Sequence, residues 1–231
     1  MEEDISAINP NTKNQRVKDF FINYKKKIVS VFIIIVIIIF GYFIYEDLQK
    51  KNKIKVADKY NQAITDYYSG NNANLKNELI EIIKEKDKTY SPLSLYFLLE
   101  NEIIKENKKI NELFDILIYE TRLEKEIKNL VIYKKALFNS EFTTENDLIK
   151  ILNPIINSES IWKSHALYLM AEFFFHKKEK LKSKEFFEQI LILENSNLSI
   201  KKEAQKSLNR DFSESDNNNC TNLFFYIKLL I

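Results

Sequence analysis

Gly41 and Gly70 are the only glycines in the sequence, and Pro10, Pro92 and Pro154 the only prolines. Tight turns between strands depend on these two residue types, one for its access to positive φ and the other for its fixed φ. A fold built from many hairpins therefore has almost nothing to turn on, while helices joined by short polar loops make no such demand. The chain is expected to be all-α. Its 231 residues, 45% hydrophobic and 29% charged, suffice for one or two packed domains. The same shortage of glycine removes the loops that let backbone cradle a phosphate or a dinucleotide, so neither a P-loop nor a Rossmann fingerprint is present, and no cofactor is expected. Cys220 is the only cysteine, which rules out an internal disulfide and a thiolate zinc cage.

Residues Ile28 to Tyr45, IVSVFIIIVIIIFGYFIY, carry no charge. At 1.5 Å per residue a helix over this run spans roughly 27 Å, close to the hydrocarbon thickness of a bilayer. A buried core helix rarely lacks a polar face, and none is formed here, where no side chain is charged. Lys25, Lys26 and Lys27 precede the run, as in a signal peptide, but Glu46-Asp47-Leu48-Gln49 follows it without a small-x-small cleavage site. The run is expected to stay as a membrane anchor, with Tyr24, Tyr42 and Tyr45 at the interfaces. The basic triplet abuts one end whereas two acids begin the other, which favours a cytoplasmic N-terminus and an exported C-terminal part.

The expected organisation is an N-terminal segment over 1–27, a transmembrane helix over 28–45, a helical domain over 46–210 and a tail over 211–231. After the anchor, Ile54, Ala57, Tyr60, Ile64 and Tyr67 share one helix face up to Ser69-Gly70-Asn71-Asn72. A second helix is expected from Asn74 to Lys86, and Pro92 suits the first turn of the next. Polar breaks near Glu106-Asn107, Glu120-Thr121, Ser140–Thr144, Asn157–Ser160 and Lys177–Lys180 then divide the chain into helices of about 12 to 17 residues, the rhythm of stacked antiparallel hairpins. The clearest hairpin covers 163–194. There Leu167, Met170, Ala171, Phe174, Ser183, Phe187 and Ile190 recur at the offsets of a 34-residue tetratricopeptide unit, small residues allowing close approach and phenylalanines filling the space beside it. Asn195 stands where that motif often has proline, and the pairs near 93–119 and 123–156 place leucines or lysines at the small positions.

This layout resembles the ancillary SecYEG translocon subunit family of Gram-negative bacteria. The resemblance is carried by Val17-Lys18-Asp19-Phe20-Phe21 before the anchor, Ala57-Asp58-Lys59-Tyr60-Asn61-Gln62-Ala63-Ile64 after it, Tyr90-Ser91-Pro92-Leu93-Ser94-Leu95, and the hairpin from Trp162 to Leu191. It extends over about residues 15 to 205 and contains no catalytic motif. It implies an inner-membrane protein whose tetratricopeptide-like domain lies in the periplasm and binds translocon subunits, periplasmic chaperones or exported polypeptides. A scaffold for envelope assembly or cell division is the alternative, because a helical array does not fix its partner.

On the clearest hairpin, His165, Tyr168, Glu172 and Phe175 are the first-helix positions expected to face a groove, a mixed polar and aromatic set suited to weak peptide contact; packed or solvated positions are the plainer account of the same residues. His165 and His176 are the only histidines and stand roughly 16 Å apart along one helix, too far to share a metal. Acids such as Glu78 and Glu85 sit among lysines as balanced surface charge, so an enzyme is not expected; a membrane-bound enzyme with an acid site would require a cleft of perturbed carboxylates. Residues 1–27 hold six basic and four acidic side chains, leaving 29 of each sign in the rest, so no net basic domain favours nucleic acid. The polar stretch Ser213–Asn222 and the apolar Leu223–Ile231, too short to span a bilayer, end the sequence; docking in a groove, lying on a membrane and a loosely held terminus are all compatible with them.

Overall fold

The computed structural model describes residues 10–71 and 73–212, all of whose regular structure is helical. The chain divides into two compact units between Lys59 and Tyr60. The expectations for the segment 213–231, including Cys220, fall outside the described residues.

The first unit is helix α1, which begins at Pro10 and runs without interruption to Tyr68, its last residues belonging to the second unit. It contains an 18-residue window of mean hydropathy 3.0 and is long and apolar enough to cross a membrane. Val31, Phe32, Ile33, Ile34 and Ile35 are consecutive and all about half exposed or more among the described residues, so the apolar surface runs around the helix. Ile54, expected on a packed face, is also exposed. In the second unit Ala63 is buried, Tyr60 lies 5.5 Å from Tyr90 and Tyr67 meets Phe97 edge-on at 5.1 Å.

In the second unit, α1 is followed by α2 (Leu75–Lys84), α3 (Tyr90–Glu100) and α4 (Asn107–Asp115), the last continued by a π-helical turn over Ile116–Glu120. Then come α5 (Lys125–Asn139), α6 (Glu145–Ile156), α7 (Lys163–His176), α8 (Lys180–Ile192) and α9 (Leu198–Asp211). The breaks fall where polar residues interrupt the apolar pattern. Thr144 and Asn197 cap α6 and α9 by accepting from the N–H groups of Asp147 and of Ser199 and Ile200. Gly70, Lys86, Glu102 and Lys178 turn the chain after a helix with φ between 51° and 85°. Pro92 sits in the first turn of α3, where its missing N–H breaks no helical bond.

Helices pack in sequence, α2 on α3, α5 on α6, α7 on α8, α8 on α9, while α5 also touches α7 and α7 touches α9. The odd-numbered helices from α5 on thus form one layer, with α6 set against α5 and α7 and α8 against α7 and α9, the architecture of tetratricopeptide-like hairpins. The burial pattern gives the repeat its register. Ala63, Leu98, Ala136 and Ala171 are buried at steps of 35, 38 and 35 residues. Twelve residues after each begins a buried triplet with constant internal spacing: Leu75, Leu79 and Ile82; Ile110, Phe114 and Leu117; Leu148, Leu152 and Ile155; Ser183, Phe187 and Ile190.

Four repeats therefore share one register, including the two hairpins whose sequences fit the motif poorly. The difference is physical. Small residues at the crossing point are one way to bring helices together, but a Leu at 98 or 148 fills the same site if its neighbours leave room, because a core is specified by total volume and not by residue type. The three extra residues of the middle step fall between α4 and α5, and there the helix widens into its π turn, closed by the Thr121 N–H donating to the Ile116 carbonyl at 2.9 Å.

Candidate protein-binding surface

Polar contacts knit consecutive repeats at points where helix ends would otherwise leave groups unsatisfied. The Ser91 hydroxyl donates to the Ile82 carbonyl at 2.8 Å, joining α3 to α2. Asn111 and Asn139 exchange amide hydrogen bonds at 3.0 and 2.8 Å between α4 and α5, beside the 2.6 Å pair of Lys135 with Asp115. The Glu126 carboxylate at the start of α5 accepts from the Ser160 hydroxyl and from the Ile161 N–H, while Ser160 accepts from the Asn129 amide. These contacts fix neighbouring hairpins against one another, which a continuous binding face requires.

The four residues expected to face a groove all lie on α7, on the sides met by α5 and α9. His165 is half-buried against Trp162, 5.1 Å between centroids, and meets Tyr133 of α5 edge-on at 5.9 Å. Its Nδ1 is buried without a hydrogen-bond partner, and burial lowers its pKa. The half-buried Tyr168 packs on Phe187 at 5.5 Å. Its hydroxyl hydrogen-bonds with Glu172 and with Ser207 of α9, and burial first, then the Glu172 charge, raises its pKa. Glu172 itself is only 2% exposed, which is not a groove-facing surface charge. Phe175 is half-buried with its ring against Phe212 at 6.1 Å. The structure thus brings Tyr168 and Glu172 into one polar cluster under α9, holds His165 in a separate aromatic cluster with α5, and leaves the exposed edges of His165, Tyr168 and Phe175 as surface.

The repeat register identifies equivalent positions that the sequence pattern alone does not mark. Tyr60 and Ile64 on α1, Leu99 on α3, and Leu130 and Leu137 on α5 correspond to residues of the α7 set, and all are half-buried. The signal that finds them is the twelve-residue interval between the two buried columns, which the search for small residues passes over. These positions are mostly apolar and aromatic.

Other chemistry is sparse. Among the described residues no group of three or more histidine, cysteine or acidic side chains is placed to hold a metal ion. Glu106 and Glu112 are held below the ordinary carboxylate range by hydrogen bonds from Lys76 and Lys109, and Asp147 by the Thr144 hydroxyl, all at the open surface. Lys134 stands 4.4 Å over the Tyr96 ring, its pKa lowered by burial.

Compared with known protein families, the chain matches the tetratricopeptide repeat-like domain family over residues 18–109. The match takes in the apolar helix, the first repeat of the register and α3 of the second, and stops at the start of α4. No curated protein and no solved structure matches the chain. The protein is an all-α, tetratricopeptide-like helical array preceded by one helix able to cross a membrane, and such arrays serve as scaffolds for protein binding.

Proposed function

We propose that this protein is a non-enzymatic scaffold of the inner membrane, its N-terminus cytoplasmic and its repeat domain periplasmic, that binds translocon subunits, periplasmic chaperones or exported chains. The observation that carries the scaffold is the buried register shared by four repeats, which sets equivalent apolar side chains at regular intervals along the helices. Such a surface makes many weak contacts with an extended polypeptide, and tethering raises its effective concentration near a membrane channel without any new contact. The partner assignment rests on the resemblance of layout alone; the tetratricopeptide-like match over residues 18–109 supports the helical scaffold.

Photo-crosslinkers placed at Leu137 and Phe175 in intact cells are expected to capture channel subunits or chains in export. Capture of envelope-assembly or division proteins alone, at native abundance, would move the scaffold to that machinery. A C-terminal alkaline phosphatase fusion should be active if the repeat domain is exported; activity only in a fusion at the N-terminus would reverse the topology.

A further inference from the structure

The two ends of the apolar run hold their cations differently. Beyond it, Lys50 and Lys51 each reach back one helical turn to Glu46 and Asp47, at 2.7 Å in both pairs, and those hydrogen bonds raise the lysine pKa values. Before it, Lys25, Lys26 and Lys27 are exposed, and none of the ion pairs among the described residues engages them. The Lys27 ammonium lies 5.5 Å from the Tyr24 ring centroid. Three consecutive residues at 100° steps spread their side chains over about 200° of the helix circumference. Lys18, also exposed, lies two turns back on the Lys25 side. The result is a collar of three cations next to Ile28, with Lys18 about 15 Å from Ile28 along the helix, and with methylene stems that can lie along apolar surface while the ammonium groups reach outward.

We propose that Lys25, Lys26 and Lys27, with Lys18 behind them, form a binding site for the phosphate groups of anionic phospholipids at the N-terminal end of the membrane helix. The inference rests on the membrane-anchored reading. If the apolar run fills the hydrocarbon layer, residues adjoining it lie at the depth of the lipid phosphates, where an unneutralised ammonium gains most from an anionic headgroup. At the opposite end the first side chains at that depth are Glu46 and Asp47, which repel the same headgroups and already satisfy Lys50 and Lys51, while the exposed Lys53 and Lys55 stand about 12 Å or more beyond Tyr45, outside the phosphate layer. The preference for anionic lipid is therefore one-sided.

The test uses the full chain purified in an uncharged detergent doped with phosphatidylglycerol or with phosphatidylcholine, with bound phospholipid counted by native mass spectrometry. The wild-type chain should retain phosphatidylglycerol preferentially. K25Q/K26Q/K27Q should lose that preference by at least about tenfold, whereas K50Q/K51Q should keep it. No preference in the wild type, equal loss in both variants, or displacement of the lipid by an equal concentration of inorganic phosphate overturns the proposal. Alkaline extraction of cell membranes separates the two layers of the argument. A chain that stays in the membrane yet shows no lipid preference retires the proposal alone, and a wild-type chain released by alkali retires the anchor and the proposal together.

Discussion

His165 combines a titratable ring with surroundings that offer it no counter-charge. Its aromatic neighbours are Trp162 and Tyr133, and burial pushes the Tyr133 phenol up to about 12, so that group stays neutral wherever the imidazole titrates. Because the folded state lowers the His165 pKa, the unfolded chain binds the proton more readily, and stability falls as the pH drops below the ordinary histidine value of about 6.5. Urea midpoints for the repeat domain should therefore fall between about pH 7.5 and about pH 5, and H165F should remove part of that slope. At Lys178 the backbone takes φ of 63°, a conformation that costs a residue with a Cβ about 1 kcal/mol relative to glycine. Lys178→Gly should raise the melting temperature, a gain that thermal denaturation reads directly.

At the scale of the element, the last hairpin shows which features of a helix crossing carry energy. Phe187 and Ser183 lie one turn apart on α8 and both are fully buried, yet they act in opposite directions. Phe187 packs on Tyr168 and joins the cluster of Leu167, Ala171 and Ile190, so Phe187→Ala should cost about 3–5 kcal/mol in urea unfolding. The Ser183 hydroxyl is buried without a hydrogen-bond partner, so Ser183→Ala, which keeps the small volume, should be neutral or stabilising in the same assay. Glu126→Ala should cost about 1–3 kcal/mol, because it strips the acceptor from the Ser160 hydroxyl and the Ile161 N–H. The helix breaks and the seven core positions of this hairpin were legible from spacing, since polar interruptions and a small-large alternation are local signals. Leu98, Ile110 and Leu148 were not, because their place at a crossing point depends on room left by residues from other helices. Helical phase puts His165, Tyr168, Glu172 and Phe175 along α7, but that α9 covers the Glu172 side depends on distant residues and is not a local signal.

For the molecule as a whole, a repeat array is stabilised by each unit and by its contact with the next, and α9, the last helix among the described residues, supplies such a contact. Ile200, Ala204 and Ser207 of α9 are buried against the preceding hairpin, whereas Lys202, Gln205, Lys206 and Asn209 are exposed. Ending the chain before Leu198 would uncover Leu167, Phe187 and Ile190, and the truncated domain should bind a hydrophobic dye and aggregate where the full chain does not. The amino-acid sequence by itself determined the helical class, the apolar span and the hairpin boundaries. Scarce glycine and proline, an uncharged run and 3.6-residue periodicity are properties of short stretches and need no knowledge of the fold. Tertiary structure alone decided the common register of the four repeats, the burial of Glu172 and the capping role of α9, because each depends on which distant side chains share a volume, and close packing is settled only when the helices meet.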